Sequence, residues 1–154
     1  MPSRLIFMDL LGAVYWFDEA LQEQLSARGW TRLTRAQSLV LLNIAIGIQR
    51  ASEIAKNIGV SRQAMSQMLA EMQTRELIAI EADPTDRRAQ LVVFSGTSAA
   101  IRDDAVQILS ALEAELSKRI GTRKFLGLRE ALAADWGASG GNLSVRRSRH
   151  GKPG

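Results

Sequence analysis

Residues 83–88 of the chain are Asp-Pro-Thr-Asp-Arg-Arg, and short apolar runs flank them at residues 78–80 and 91–94. Two such runs around a loop that contains proline predict a β-hairpin. Asp at the first position of the loop and Pro at the second favour a tight turn. Arg87 and Arg88 would lie side by side at the tip of this hairpin. Paired guanidinium groups at such a tip are suited to a phosphate backbone or to a narrow minor groove of DNA.

A helix-turn-helix pattern precedes the hairpin, over residues 51–70. Ala55 stands where the two helices of such a motif cross closely, and Gly59 stands in the turn, where a residue tolerant of positive φ is needed. Apolar side chains are required wherever the two helices pack, and the chain provides Ile54, Ile58, Val60, Met65 and Met68. An ordinary corner between two helices would meet some of these requirements, but the hairpin that follows favours the DNA-binding motif.

The second helix of the motif would present a polar face. Its methionines and Leu69 would turn inward, which leaves hydrogen-bonding side chains outside. In the major groove, Gln can pair with adenine and Arg with guanine through two hydrogen bonds. The residues predicted to contact DNA are Ser61, Arg62, Gln63, Ser66 and Gln67 on this helix and Arg87 and Arg88 on the hairpin. Each of them alone could be a solvated surface residue. Asp86 is expected to pair with one of the two hairpin arginines and so to hold the tip in shape.

Helices are predicted on both sides of this motif from apolar residues at spacings of three and four. One covers residues 5–27, and another begins after Ser95 or Thr97 and ends near residue 120. A last helix is predicted over residues 123–136.

These elements predict a mainly α fold with a small β-hairpin wing, that is, a winged helix-turn-helix flanked by dimerisation helices from both termini. A capping box at Thr34 and Gln37 would begin the first helix of the lobe. The terminal helices have more apolar positions than a small lobe can cover, which favours a second copy of the chain as their partner. The predicted units are an N-terminal dimerisation helix (1–33), a DNA-binding lobe (34–95), C-terminal dimerisation helices (96–137) and a basic flexible tail (138–154).

The net charge of +4 does not by itself indicate a nucleic-acid partner. Residues 139–154 contain four basic residues and no acidic one, so the rest of the chain has 16 of each sign and is neutral. DNA binding must therefore follow from where the arginines lie on the folded surface. The tail could be an additional nonspecific DNA contact or only a solubilising end.

Catalysis is not expected. The chain has no cysteine, which excludes disulfides, thiolate metal sites and cysteine-based redox sensing. Its single histidine is His150, and no carboxylate pair, metal-ligand cluster or Gly-rich phosphate loop stands out, so neither an enzyme activity nor a cofactor is predicted. The apolar run at residues 5–17 is broken by Asp9 and is too short to cross a bilayer. A cytoplasmic protein without membrane contacts is expected.

The chain resembles the MarR family of winged-helix transcription regulators. The resemblance rests on residues 33–37 (LTRAQ), 52–55 (SEIA), 59–61 (GVS) and above all 83–88 (DPTDRR), a pattern highly specific to the family. It implies a homodimer built from the terminal helices, a recognition helix in the major groove and wing arginines on the minor groove. It also implies that a small molecule, often an aromatic acid or a phenol, binds between the DNA-binding lobe and the dimer helices and weakens DNA binding.

Two features depart from the family pattern. Residues 94–98 are Phe-Ser-Gly-Thr-Ser where the family usually has Leu-Thr-x-x-Gly, although Ser95 is still expected to cap the following helix. The basic tail after Ala138 is not part of the pattern.

The effector pocket implied by the resemblance is expected near Tyr15, Trp16, Arg28 and Trp30. Arg28 could meet a carboxylate of the ligand. Each of these four residues could instead belong to the core or to the dimer interface, and that alternative stays open.

The predicted function is a homodimeric, sequence-specific transcriptional repressor that a small molecule releases from its operator. Two-fold symmetry predicts a palindromic operator with half-sites about one helical turn apart, roughly 34–36 Å. The alternative is a constitutive or architectural winged-helix DNA-binding protein that has no effector.

Overall fold

A computed structural model of the protein describes residues 5–137, which form six helices and a two-stranded antiparallel hairpin. In chain order the elements are α1 (Ile6–Ala27), α2 (Arg35–Ala45), α3 (Ala51–Ile58), α4 (Arg62–Thr74), β1 (Ile78–Ala82), β2 (Gln90–Phe94), α5 (Ala99–Ile120) and α6 (Thr122–Ala133). The predicted mainly α fold with a hairpin wing is confirmed. The predicted tail, residues 138–154, lies outside the described residues. Within them, no helix is long and apolar enough to cross a membrane.

Local sequence signals set the helix starts of the lobe. The capping box before α2 is complete: Gln37 N donates to Thr34 Oγ1 at 3.2 Å, and Thr34 N donates to Gln37 Oε1 at 3.0 Å. Ser61 begins α4, since its Oγ accepts from Ala64 N at 3.1 Å. Gly59 ends α3 with φ of 72°, in the left-handed region that the sequence predicted for this turn.

One core joins the lobe to the terminal helices. It is formed by Leu21 and Leu25 of α1, Val40 and Ile44 of α2, Ile54 of α3, Met65, Leu69 and Met72 of α4, Ile78 and Val92 of the hairpin, and Ile101 and Ile108 of α5. Of the five predicted packing positions of the helix-turn-helix, Ile54 and Met65 are buried, and Ile58, Val60 and Met68 are partly buried against the same core. The periodicity therefore predicted the inner faces of α3 and α4 correctly.

The hairpin is attached to the start of α3. Its two strands pair in register from Ile78 with Phe94 to Ala82 with Gln90. A short third segment lies beside β2, because Val92 N donates to Gln49 O at 2.7 Å and Arg50 forms an isolated bridge with Leu91. The wing is therefore fixed to the helix-turn-helix by backbone hydrogen bonds, which strand periodicity did not predict.

The junction after the wing differs from expectation. α5 begins at Ala99 with Ser98 as its N-terminal flanking residue, so Ser95 does not cap it as predicted. The hydroxyl groups of Ser95 and Thr97 donate instead to the carbonyl of Glu76. Glu76 has φ of 56°, which turns the chain between α4 and β1. The hydroxyls are used to close the base of the wing and are not available to the helix.

The last helix is shorter than the predicted range of residues 123–136. α6 ends at Ala133, because Ala134 has extended backbone with ψ of 157°. Trp136 lies beyond the end, and its indole Nε1 donates back to Ala131 O at 2.7 Å. The four-residue spacing that includes Trp136 therefore reflects a side chain folded back on the helix, not a further helical turn.

Replacing Gly59 by alanine is expected to lower the free energy of unfolding by about 1 kcal/mol, because a left-handed L-residue is strained by roughly 1–2 kcal/mol. A Cβ at Gly59 would meet no atom within 4 Å, so backbone strain is the sole expected cause. Urea denaturation measures the change. The matched control is Gly96→Ala, which adds a Cβ into equally open space without a positive φ. Equal losses in both variants would contradict the assignment of strain to the α3–α4 turn.

Candidate nucleic-acid interface

The outer face of α4 is polar and exposed. Met65, Leu69 and Met72 are buried beneath it. The five residues that the sequence predicted to contact DNA from this helix, Ser61, Arg62, Gln63, Ser66 and Gln67, are all exposed. They lie at its N-terminal end, as the helix starts at Arg62. The structure thus leaves all of them accessible to a ligand.

A groove of about 660 Å³ separates α4 from the wing. Arg62, Ser66 and Gln73 line it from the helix, and Arg87 and Arg88 line it from the hairpin tip. The predicted residues Ser61, Gln63 and Gln67 do not line this groove. They occupy the neighbouring face of the helix, since successive residues turn by about 100° around its axis.

The groove has a positive character. Among residues 5–137, no ion pair or side-chain hydrogen bond involves the guanidinium groups of Arg62, Arg87 or Arg88. Three cations on two sides of one concavity provide a surface that complements a polyanion. Gln73, which the sequence placed outward without naming it as a contact, also faces this groove.

Asp86 shapes the tip through the backbone. Its Oδ1 accepts from Arg88 N at 3.0 Å, and its carbonyl accepts from Ala89 N at 2.9 Å. The expected pairing with a guanidinium group is not what the structure shows. Because the carboxylate binds an amide, the side chains of Arg87 and Arg88 stay available while the tip is still held in a turn.

The base of the wing contains a buried carboxylate. Asp83 Oδ1 accepts from Thr85 N at 2.8 Å and from Thr85 Oγ1 at 2.6 Å. Its Oδ2 accepts from Arg50 Nε at 3.0 Å and from Arg50 Nη2 at 2.7 Å. The hydrogen bonds from Thr85, followed by those from Arg50, lower the pKa of Asp83 to about 2. Asp83 is therefore ionised at neutral pH and joins the wing to the residue that precedes α3.

Arg50 is the functional residue that sequence reasoning missed. It lies 33 positions before Asp83, flanks α3 and lines the groove. An arginine before a helix has no local pattern that predicts a partner at such a distance. The Asp-Pro turn did predict the tight turn, which the bond from Asp86 N to Asp83 O confirms at 3.3 Å.

The four residues expected at the effector pocket lie in separate places. Arg28 Nη1 contacts Asp104 Oδ1 at 2.5 Å, and Trp30 Nε1 donates to Asp104 Oδ2 at 2.7 Å. These hydrogen bonds, with that from Trp30 the larger cause, lower the pKa of Asp104. Tyr15 stacks under the guanidinium group of Arg35 at 3.9 Å. Arg28 and Trp30 thus tie the end of α1 to α5, and the Arg28 charge already has a carboxylate partner.

Trp16 contacts neither that pair nor Tyr15 among the ring contacts of the described residues. Its ring meets the ring of Phe17 edge to face, with centroids 4.9 Å apart. The four predicted residues therefore do not converge on one cavity.

Trp30 lines a cavity of about 310 Å³ beside the start of α5, and two other cavities between the lobe and the terminal helices have different linings. One of about 380 Å³ lies where α1, α2, α5 and α6 meet, and a smaller one of about 80 Å³ adjoins it between α2 and α5. Leu21, Ser38, Leu42 and Leu109 line both. None of Tyr15, Trp16, Arg28 and Trp30 lines either of them.

A sequence model described as the MarR family matches residues 33–89, which run from the start of the helix-turn-helix lobe through the wing tip. Over these residues the chain is similar to the MarR family. No curated protein matches the chain in sequence.

Solved structures extend the likeness over the terminal helices. Apo wild-type MarR from E. coli is 26% identical with a TM-score of 0.64, and the match covers 84% of this chain and 96% of that one. The transcriptional repressor CouR, bound to a 23-mer DNA duplex, is 24% identical with a TM-score of 0.65, covering 84% and 90%. NadR in complex with 4-hydroxyphenylacetate is 14% identical with a TM-score of 0.68, covering 86% and 93%. The chain therefore has the DNA-binding fold of MarR-family transcriptional regulators.

Asp83→Asn is expected to lower the free energy of unfolding at neutral pH, and the deficit should shrink as the pH falls from about 4 towards 2. Since the pKa of Asp83 drops from 3.8 to about 2 on folding, its stabilisation is complete above the higher value and disappears as the pH falls through the lower one. Denaturation at a series of pH values measures the difference. The control is Asp103→Asn, an exposed carboxylate 3.6 Å from Arg102, where a small change is expected throughout. A deficit for Asp83→Asn that grew on acidification would contradict this role.

Proposed function

We propose that the chain is a cytoplasmic homodimer that binds a palindromic operator in double-stranded DNA, represses transcription and is released by a small molecule. The observation that supports this most directly is the groove between α4 and the wing. It has guanidinium groups on both sides, Arg62 on the helix and Arg87 and Arg88 on the tip. No ion pair among the described residues involves any of these three guanidinium groups.

The two halves of the interface would contact DNA differently. The N-terminal part of α4 would enter the major groove, where Gln63 and Gln67 can reach adenine edges and Arg62 a guanine edge. Ser61 and Ser66, at the same end of α4, would contribute further hydrogen bonds. The wing would place Arg87 and Arg88 at the phosphate backbone or in the minor groove, where contacts add affinity with less dependence on sequence.

The terminal helices support a dimer. At the start of α1, Leu5, Ile6, Phe7 and Met8 are 50–73% exposed, and α6 has no buried residue. Leu126, Leu128 and Leu132 of α6 are also exposed. An apolar surface of this extent is costly in water and is typical of an interface between subunits. A two-fold pair would set two α4 helices at the spacing of operator half-sites, roughly 34–36 Å.

Release by a small molecule is supported by the cavities between lobe and terminal helices. A ligand there contacts α2, which packs on α3 and β2, as well as α1 and α5. The ligand would favour one separation of the two α4 helices in the dimer over another. The size of this shift is limited by the difference between its affinities for the two states of the dimer. A constitutive DNA-binding protein would show no change of operator affinity with any ligand.

Arg87→Ala is expected to weaken binding to operators that wild-type protein selects from random duplex DNA. Losing one phosphate or minor-groove contact should lower the slope of log affinity against log salt by about 1. Titrations at several salt concentrations measure both quantities. An unchanged affinity would show that Arg87 of the wing does not contribute to DNA binding.

Two variants make this test specific. Arg32→Ala removes the same charge from the connector before α2, outside the groove, and should leave the salt slope unchanged. Gln67→Ala should leave the slope unchanged but relax base preference at one operator position by about 1–3 kcal/mol. Equal losses of DNA affinity for Arg32→Ala and Arg87→Ala would show that the total charge of the protein, and not the position of the arginines, governs binding.

Leu126→Glu is expected to convert the dimer to a monomer, because it adds a charge to the proposed interface at a position that is 57% exposed in the single chain. Sedimentation equilibrium should give wild-type protein twice the chain mass of 16.9 kDa. Ile46→Glu, at a residue 55% exposed directly after α2 and outside the terminal helices, is the control and should remain dimeric. A monomeric wild-type protein at micromolar concentration would contradict the proposed assembly.

A further inference from the structure

The polar side chains that line the larger cavity all have partners within the protein. Apart from Asp18, Arg35 and Ser38, its lining is apolar. Arg35 Nε donates to Asp18 Oδ2 at 3.0 Å, so the two charges cancel. Ser38 Oγ accepts from the buried Gln22 Nε2 at 2.8 Å. No cation is left in this lining to bind an anionic ligand.

The adjoining smaller cavity is apolar except for Ser38 and Arg102. Its one charged residue, Arg102, lies over the ring of Phe94 at 5.5 Å and contacts Asp103 at 3.6 Å. Arg28, which the sequence suggested as a carboxylate partner, is bound to Asp104 and lines neither cavity. A carboxylate or sulfonate in the larger cavity would lose its hydration without gaining a counter-charge, because Arg102 lines only the smaller one.

The larger cavity borders the proposed dimer surface through Leu132 of α6, whereas the smaller one has an apolar mouth between α2 and α5. Leu42 of α2 and Val106 of α5 line it and are 45% and 58% exposed. The dimer surface on α1 and α6 does not account for their exposure. A volume of about 380 Å³ is within the range of small-molecule sites, roughly 300–1,000 Å³.

We propose that this cavity binds an uncharged, apolar small molecule and discriminates against aromatic acids. The inference rests on the proposed effector response and specifies the chemistry of that ligand. Affinity would come from burial of apolar surface beside Leu21, Leu42 and Leu109, and the paired charges of Asp18 and Arg35 would stay with each other. The negative charge typical of aromatic-acid effectors would be a disadvantage here.

The test compares two fluorescent probes that differ by one charge. N-phenyl-1-naphthylamine is uncharged, and 8-anilinonaphthalene-1-sulfonate has the same rings with a sulfonate. Full-length wild-type protein is expected to bind the neutral probe at least about tenfold more tightly, because the sulfonate would be desolvated without a partner. The ligand named with NadR, 4-hydroxyphenylacetate, should not displace the neutral probe.

A pair of variants locates the site. Leu42→Trp is expected to fill the space that both cavities share and to abolish binding of the neutral probe. Ile46→Trp adds the same ring one turn further along, at an exposed residue that lines neither cavity, and should bind as wild type does. Thermal melting without probe checks that both variants are folded.

Three results would overturn the proposal: equal or tighter binding of the sulfonate, binding that Leu42→Trp leaves intact, or no binding of the neutral probe to wild type. The last would indicate that a second copy of the chain fills the cavity. Operator titration of the same preparation separates this outcome from a failure of the proposed function. Protein that binds its operator and loses affinity through Arg87→Ala remains a DNA-binding regulator whatever the probes show.

Discussion

The ion pair between Arg50 and Asp83 is the contact on which the DNA-facing surface depends. It joins the residue before α3 to the base of the wing, and Thr85 supplies the remaining hydrogen bonds to the carboxylate. Because these groups hold the pKa of Asp83 at about 2, the carboxylate stays an acceptor throughout the physiological range. Together with the backbone hydrogen bond from Val92 N to Gln49 O, this contact holds the wing beside the helix-turn-helix, where Arg87 and Arg88 lie across the groove from Arg62.

A second polar cluster holds the far end of α4. Gln37 is almost fully buried, and its Oε1 accepts from Thr34 N and from Arg75 Nη1 at 3.1 Å. Its Nε2 donates to Glu71 Oε1 at 3.1 Å, and Arg75 Nη2 also donates to the Arg32 carbonyl at 3.2 Å. The recognition helix is therefore tied at its C-terminal end to the connector between α1 and α2.

Local sequence signals predicted much of the lobe correctly. They failed where a side chain binds a partner that is distant in the sequence. Thr34, Gly59 and Ser61 were placed correctly because a cap or a positive φ involves only neighbouring residues. Ser95 was expected to cap a helix by the same reasoning. Its hydroxyl is instead bound to the carbonyl of Glu76, nineteen residues away in the chain, which no local pattern indicates. Arg28 was suggested as a partner for a ligand carboxylate, but it binds Asp104, 76 residues away in the chain.

The sequence by itself determined the elements, the inner faces of α3 and α4, and the exposed polar set that includes Arg62 and Arg87, because periodicity and capping follow from helix and strand geometry. The tertiary structure alone decided that Arg50 fixes the wing, that Asp86 binds a backbone amide, and that the charges beside the apolar cavity cancel. These are pairings between side chains and partners brought together by folding. Their energy depends on distance and burial in space, and a linear sequence specifies neither.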